Sequence, residues 1–384
     1  MILPPATLGL LGGGQLGRFF VMAAREMGYR VTVLDPDPHS PAGRIADTHL
    51  AAPYDDAEAL ERMARSCAAV TTEFENVPAD SLAYLSKFLP VRPDAASVSV
   101  AQNRIAEKRF LADNGFPVGP HVAVRGEADL EGADAALFPA ILKVARFGYD
   151  GKGQARVADA AAARLTFRRF KGEPCVLERA LPLDAEVSCV VARGADGALA
   201  AFEVARNHHR NGILDVCAAP APIAAPLREA AAAMAGRVAV ALGYVGVMGV
   251  EFFVSNGTLL VNEIAPRPHN SGHHTLDACV ASQYEQQVRA LCGLPLGEPR
   301  SHSAAVMVNL LGDLWFRRDP QHVHEPEWAT LLDVPNLRLH LYGKHHARPG
   351  RKMGHFTVLD GDMRRALDVA MAARRRIGIV DDAD

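Results

Sequence analysis

Residues 143–154 read KVARFGYDGKGQ. Gly148, Gly151 and Gly153 fall within six residues, with Tyr149, Asp150 and Lys152 between them. Glycines at this density let a backbone close over phosphates, and the charged residues give it something to hold. The residues after Lys152 are Gly153 and Gln154 rather than Ser or Thr, so the segment is not a P-loop. Lys143 ends the apolar run FPAILKVA that feeds the loop. A lysine with a buried stem in that place is a phosphate ligand; one that snorkels to the surface is the competing reading.

A second constellation lies in VGVMGVEFFVSNGTLLVNEIAPRPHNSGHHT, residues 245–275. Asn256-Gly257 marks a hairpin turn. Glu251 and Glu263 sit on its two arms, with Asn262 beside the second. A regular two-residue loop pairs Glu251 with Asn262 and turns Glu263 to the other face. A bulge or an odd-length loop pairs Glu251 with Glu263 instead. Carboxylates directly opposite repel unless a cation lies between them. Two carboxylates and an amide suit a hard cation such as Mg²⁺, shared with nucleotide phosphates. A solvent-facing hairpin is the alternative, although its arms are otherwise almost wholly apolar.

Near the start, Gly12, Gly14 and Gly17 give the spacing G-x-G-x-x-G after an apolar strand, and Asp35 closes the next strand, VTVLD. Alone this suggests a dinucleotide site, with Asp35 on a ribose. The alternative is a doubly wound domain whose glycines serve only a tight turn and close packing. The proline-broken PDPHSPAG after Asp35 and the lack of a dehydrogenase acid/base pair weigh against a dinucleotide. CAAVTTEFENVP (67–78) reads as a further parallel strand with Glu73 and Glu75 at its carboxyl end, where such sheets bind ligands. Glu73 then faces a substrate crevice, or is a solvated loop carboxylate. Glu178, Arg179, Ala180 and Leu181 (ERAL) form a hinge whose backbone could read an adenine edge, and Glu186 could accept from ribose hydroxyls. YGKHHARPGRKMGH (342–355) concentrates Lys344, Arg348, Arg351 and Lys352, a local anion site or a solvated basic loop.

These residues need elements to hold them. A first domain over 1–94 contains the βαβ unit. A helix is expected over 103–114, stopped by Asn114-Gly115 and Pro117. Strands are expected at FPAILKVA, EPCVLERAL, AEVSCVVAR and ALAAFEVAR, then an Ala-rich helix over 226–242, the hairpin, and a helix over 276–292. GEADLEGADAAL (126–137) reads as a polar surface segment. Strands SAAVMVNLLG, NLRLHLYG and GHFTVLD and a final helix complete the chain. The domains are placed at 1–94, 95–296 and 297–384.

Length and composition bound the class. The chain has 384 residues, 49% of them hydrophobic and 22% charged, which fits two or three soluble domains. A net charge of -3 gives no reason to expect nucleic acid or an anionic membrane as partner. The six cysteines form no C-x-x-C pair, so a reducing, cytoplasmic compartment is expected. No signal peptide and no membrane span are read from the sequence.

The strand lysine, glycine loop, E-x-x-L hinge and carboxylate hairpin, in this order, resemble the ATP-grasp ligases. GGGQLGR, TEFENVP, RFGYDGKGQ, LGYVGVMGVEFF, NEIAPRPHNSGH and RPGRKMGH resemble, within them, the N5-carboxyaminoimidazole ribonucleotide synthetases of bacterial and fungal purine biosynthesis. The resemblance covers nearly the whole chain and is weakest in the last few dozen residues. It implies an α/β and α+β architecture: a doubly wound, Rossmann-like parallel-sheet domain, an ATP-grasp domain and a small, mostly β C-terminal domain, commonly as a homodimer. It places ATP on Arg104, Lys143, the loop Gly148, Tyr149, Asp150, Gly151, Lys152, Gly153 and Gln154, the hinge Glu178–Leu181, Glu186, His209, Asn262 and Glu263. It places Mg²⁺ on Glu251 and Glu263. Aminoimidazole ribonucleotide falls on Gln15, Leu16, Glu73, Tyr149, Asp150, Arg267, His269, Asn270, Lys344, Arg348 and Arg351. Tyr149, Asp150, Arg267 and His269 are the expected catalytic residues, with Asp150 the proton acceptor and His269 the second choice. The expected reaction is ATP- and bicarbonate-dependent carboxylation of the exocyclic amine through carboxyphosphate. A sister ligase acting on formate or another small carboxylate is the alternative.

Overall fold

The computed structural model describes residues 1–148 and 152–380. Three sheets follow one another along the chain. The first is parallel, with strands β1 (Thr7–Leu11), β2 (Arg30–Leu34), β3 (Thr48–Leu50) and β4 (Ala69–Thr72) in the order β3-β2-β1-β4. Both faces are covered, as their continuous apolar runs require. The helix Gln15–Glu26 buries Phe20, Val21 and Ala24 on one face, joined by Val288 and Leu291 from the helix Gln283–Cys292. Leu60, Met63, Leu82 and Leu85 pack on the other face.

The second sheet is antiparallel, with β5 (His121–Val124), β6 (Ala140–Val144), β7 (Gln154–Val157) and β8 (Cys175–Arg179) in the order β5-β8-β6-β7. The β6–β7 connection is the glycine-rich loop, and β8 ends at the ERAL hinge. The third sheet has nine antiparallel strands. They are β9 (Ala185–Arg193), β10 (Leu199–Ala201), β11 (Ala205–Arg210), β12 (Ile213–Ala219), β13 (Gly246–Ser255), β14 (Thr258–Ala265), β15 (Ala304–Leu311), β16 (Leu337–Leu341) and β17 (Lys352–Asp360). Their order is β14-β13-β9-β11-β12-β15-β17-β16, with β10 on β9. The β12–β15 pairing carries this sheet across residue 296, so the C-terminal strands extend the middle sheet.

Two expected elements are broken. The single strand over ALAAFEVAR is β10 and β11, because the backbone turns in at 202–204 to bury Phe202 and Val204. The helix over 276–292 is two, Thr275–Ala278 and Gln283–Cys292. Ser282 Oγ accepts from Glu285 N and starts the second afresh. The segment 126–137 carries a short helix, Glu127–Glu131, with Leu130 buried. The expected helix over 103–114 runs Arg104–Asp113, and the Ala-rich helix Ala225–Ala241.

Candidate active site

The hairpin β13–β14 turns at Asn256-Gly257, with φ of 48° and 70°, the double positive φ of a tight two-residue turn. Ser255 faces Thr258 and Phe252 faces Val261, yet the next pair is Glu251 with Glu263. Asn262 is therefore an extra residue, a bulge that restores both glutamates to one side of the ladder. Glu251 Oε2 accepts from Asn262 Nδ2 at 3.4 Å, and its Oε1 lies 3.3 Å from His269 Nε2. Glu263 Oε2 accepts from Arg104 Nη1 at 2.8 Å. Burial, then the Glu263 charge, pushes the Glu251 carboxyl up to about 7. Burial works the same way on Glu263, but Arg104 outweighs it, helped by Lys143 and His269, and brings it down to about 2. Asn262 Oδ1 is buried without a hydrogen-bond partner among the described residues. A bulged pair of carboxylates beside an unused amide oxygen fits a hard cation with oxygen ligands.

Lys143 Nζ donates to Glu178 Oε2 at 2.9 Å, and Lys108 Nζ stands 3.6 Å from Glu178 Oε1. Burial opposes ionisation of Glu178, but Lys143 and Lys108 together hold its carboxyl below the usual range. The Glu178 side chain is thus taken up by lysines, which leaves the hinge its backbone groups. Arg104 begins the helix Arg104–Asp113, whose N-cap Asn103 accepts from Ile105 N and Ala106 N. Its Nη2 also reaches Gly148 O at 3.5 Å, at the mouth of the loop, while Val144 N donates to Gly153 O and closes the loop's base. Gly153 has a φ of 70°. Tyr149, Asp150 and Gly151 lie outside the described residues. Glu186 on β9 faces His209 on β11, Oε2 to Nδ1 at 2.7 Å. Burial lowers the His209 pKa, but Glu186 and Glu251 outweigh it and raise it.

Past β14 the chain runs straight into Arg267, His269 and Asn270. Arg267 Nε donates to Glu75 Oε2 at 2.6 Å and its Nη1 to Pro268 O at 3.1 Å. Gln283 clamps His269 at both ends: His269 N donates to Gln283 Oε1, and Gln283 Nε2 donates to His269 O. Burial, then the Arg267 charge, drops the His269 pKa to about 3, so the imidazole is neutral at working pH. Asn270 and Asn309 exchange side-chain hydrogen bonds of 3.1 and 2.7 Å. In the C-terminal loop, Lys344 Nζ donates to Lys352 O and Arg351 Nη1 to His346 O. Burial, then the neighbouring Arg348, lowers the Arg351 pKa. Arg348 itself is exposed.

The chain matches three family models in series: a ribonucleotide synthetase preATP-grasp domain over residues 5–102, an ATP-grasp domain over 109–284, and a phosphoribosylaminoimidazole carboxylase C-terminal domain over 305–368. It is 44% identical over 358 residues to the N5-carboxyaminoimidazole ribonucleotide synthase of Brucella melitensis, covering 92% of this chain and 96% of that protein. The chain belongs to the N5-carboxyaminoimidazole ribonucleotide synthase family. The Bacillus subtilis member is 39% identical, with 94% and 93% of the two chains covered. Among solved structures, an ADP complex of an N5-carboxyaminoimidazole ribonucleotide synthetase superposes with a TM-score of 0.90 at 39% identity, covering 97% of each chain. The Aspergillus clavatus synthase bound to ADP and 5-aminoimidazole ribonucleotide gives 0.88 at 28% identity, covering 98% and 99%.

Against that family, contacts join Arg104, Lys143, Glu178, Glu251, Asn262, Glu263 and His269 into one centre. The N-terminal glycine turn is folded around its own acids. Glu73 accepts from Gly14 N at 2.8 Å and Gly17 N at 3.0 Å, and Asp35 Oδ2 accepts from Gly13 N and Tyr54 Oη. The N–H groups a pyrophosphate would need are already aimed at carboxylates, which argues against the dinucleotide reading. Gln15 and Leu16 open the helix just beyond this turn. Several partners escaped sequence reasoning: Lys108, Gln283 and Asn309, and also Arg18 and Arg44, whereas Glu75, read at the carboxyl end of its strand, accepts from Arg267. Arg44 Nη1 reaches Gly343 O at 3.3 Å, while Arg18 is half-buried with its pKa lowered by burial and then by Arg44. Two N-terminal cations thus approach the basic loop at 343–351. The Arg in GGGQLGR was the one signal for this. No helix among the described residues is long and apolar enough to cross a membrane.

Proposed function

We propose that this chain carboxylates the exocyclic amine of 5-aminoimidazole ribonucleotide, using ATP and bicarbonate, with Mg²⁺ on Glu251 and Glu263. The observation that carries the reading is the Asn262 bulge, which sets the two glutamates opposite each other one loop away from Arg267, His269 and Asn270. Mg²⁺ there would neutralise phosphate charge and orient the γ-phosphate for in-line attack. Arg104 and Lys143, now paired with Glu263 and Glu178, exchange those partners for nucleotide phosphates. A bicarbonate oxygen bonds to the γ-phosphorus and ADP leaves, giving carboxyphosphate. The amine nitrogen then bonds to the carboxyl carbon, the C–O bond to phosphate breaks, and the amine loses a proton. Arg267 holds bicarbonate and the mixed anhydride through guanidinium N–H groups now directed at Glu75. Asp150 takes the proton. His269 is second choice, since its neutral ring can accept one. The glycine-rich loop excludes water from an anhydride that hydrolyses readily.

Lys344, Arg348 and Arg351, joined by Arg18 and Arg44, anchor the ribonucleotide 5′-phosphate. In this reading the protein works in the cytoplasm as a homodimer; sedimentation should give twice the 41.1 kDa chain mass. ADP formation should require aminoimidazole ribonucleotide and bicarbonate together. Turnover driven by formate without bicarbonate would support the sister-ligase reading instead.

A further inference from the structure

Strand β14 is an edge of the nine-stranded sheet, so one row of its backbone groups has no neighbouring strand. An edge of this kind must be covered or it stays mobile and adhesive. Here the row runs beside the carboxylates assigned to the cation, and its partners come from one helix and the segment after it. Glu107 Oε1 accepts from Ile264 N at 2.5 Å. Lys108 Nζ donates to Asn262 O at 2.8 Å. Val261 N donates to Pro117 O at 2.7 Å. Arg104, one turn earlier, takes the Glu263 side chain. Positions 104, 107 and 108 share a helix face, and Glu107 and Lys108 are each only 2% exposed. Burying two ionisable groups is costly unless their hydrogen bonds are made. These two make theirs to the backbone on either side of Glu263.

We propose that Glu107 and Lys108 are positioning residues for the cation site: they fix the Asn262–Ile264 backbone, and so hold the bulge that points Glu263 at Glu251. Neither touches the cation or the nucleotide. This inference rests on the assignment of the cation to Glu251 and Glu263, and the test separates the two. A bulge is an irregular, unpaired residue. Without side chains gripping both flanks, β14 can slide to regular pairing, which puts Asn262 opposite Glu251 and turns Glu263 away.

The test is binding of Mn²⁺ by the full chain in the presence of ADP, read by electron paramagnetic resonance, beside ADP affinity without metal and thermal melting. Glu107→Gln keeps an oxygen acceptor for Ile264 N and should bind Mn²⁺ within about twofold of wild type. Glu107→Asp is one methylene short of the strand and should lose about tenfold or more in Mn²⁺ affinity, with metal-free ADP affinity unchanged. A purely structural role would lower melting temperature and both affinities together, and would overturn the proposal. So would an Asp variant that binds Mn²⁺ like wild type. Should the Asp variant not fold, Lys108→Met, which frees the other flank and is compared with its parent in a Glu178→Gln background because Lys108 also faces Glu178, must show the same metal-selective loss or the proposal fails. Wild type that binds no Mn²⁺, or binds it equally well after Glu263→Gln, would refute the cation assignment instead.

Discussion

At the scale of single residues, the charges of the candidate site hold one another, Arg104 with Glu263 and Lys143 with Glu178. Glu251→Gln and Glu263→Gln should each reduce ADP formation by about a hundredfold or more while the far-ultraviolet dichroism stays native, because the cation loses half of its protein charge. Wild-type turnover at ordinary Mg²⁺ in either variant would contradict the assignment. The same pair sets a pH dependence. The Glu251 carboxyl is raised to about 7, so below that pH the site carries a proton that a cation must displace. Apparent Mg²⁺ affinity should therefore fall on the acid side, approaching about tenfold per pH unit, and binding should release protons to the buffer. Affinity that is flat across this range would refute it. The phosphate anchor is tested by Lys344→Ala and Arg351→Ala. Each removes a charge-assisted contact of roughly 1.5–3 kcal/mol, so KM for the ribonucleotide should rise about tenfold or more with little change for ATP. Steady-state kinetics with each substrate varied separately reads the difference.

At the scale of elements, the hairpin shows what the sequence made legible and what it did not. Asn256-Gly257 announced the turn, and the two glutamates announced a reason for a bulge. Register parity alone could not say whether the bulge was there, because the extra residue is fixed from outside the hairpin, by the helix Arg104–Asp113. The helix itself was legible; that its Glu107 and Lys108 point at β14 was not, since an R-x-x-E-K spacing equally describes a solvated face. The broken strand at 199–210 and the broken helix at 275–292 were missed for a related reason: buried Phe202 and Val204, and the Ser282 cap, override continuous apolar patterning. Gly249 in β13 is a sharper case. A Cβ there would stand 2.7 Å from both Cβ and Cγ of His269. A strand glycine of this kind marks close approach. Gly249→Ala should cost about 1–3 kcal/mol in stability and displace His269, lowering carboxylation more than ATP affinity. Equal losses in both would show that Gly249 serves packing alone.

At the scale of the whole molecule, the domains expected from sequence are joined more tightly than their motifs suggest. The nine-stranded sheet passes from the ATP-grasp region into the C-terminal strands through β12 and β15. The final helix is tied back to β12 by Arg374 and Asp215, Nη2 to Oδ2 at 2.6 Å, both fully buried. Arg374→Ala leaves Asp215 buried and unpaired and should cost about 3–5 kcal/mol, whereas replacing both with Leu should recover most of it. Thermal unfolding of the single and double variants measures this. Such pairing was invisible beforehand, because nothing in RRALDVAMAARRRI distinguishes Arg374 from its neighbours. Joining the regions matters for the proposed reaction, in which an anchor in the C-terminal loop would aim an amine at chemistry starting beside Glu251 and Glu263. The central claim is that bicarbonate is activated by phosphoryl transfer before the amine captures its carbon. Its most direct test is turnover with heavy-oxygen-labelled bicarbonate and aminoimidazole ribonucleotide, followed by mass spectrometry of the released phosphate. One heavy oxygen per phosphate, formed together with the carboxylated product, is the predicted result. Phosphate carrying no label, with the carboxylated product still formed, would contradict the account.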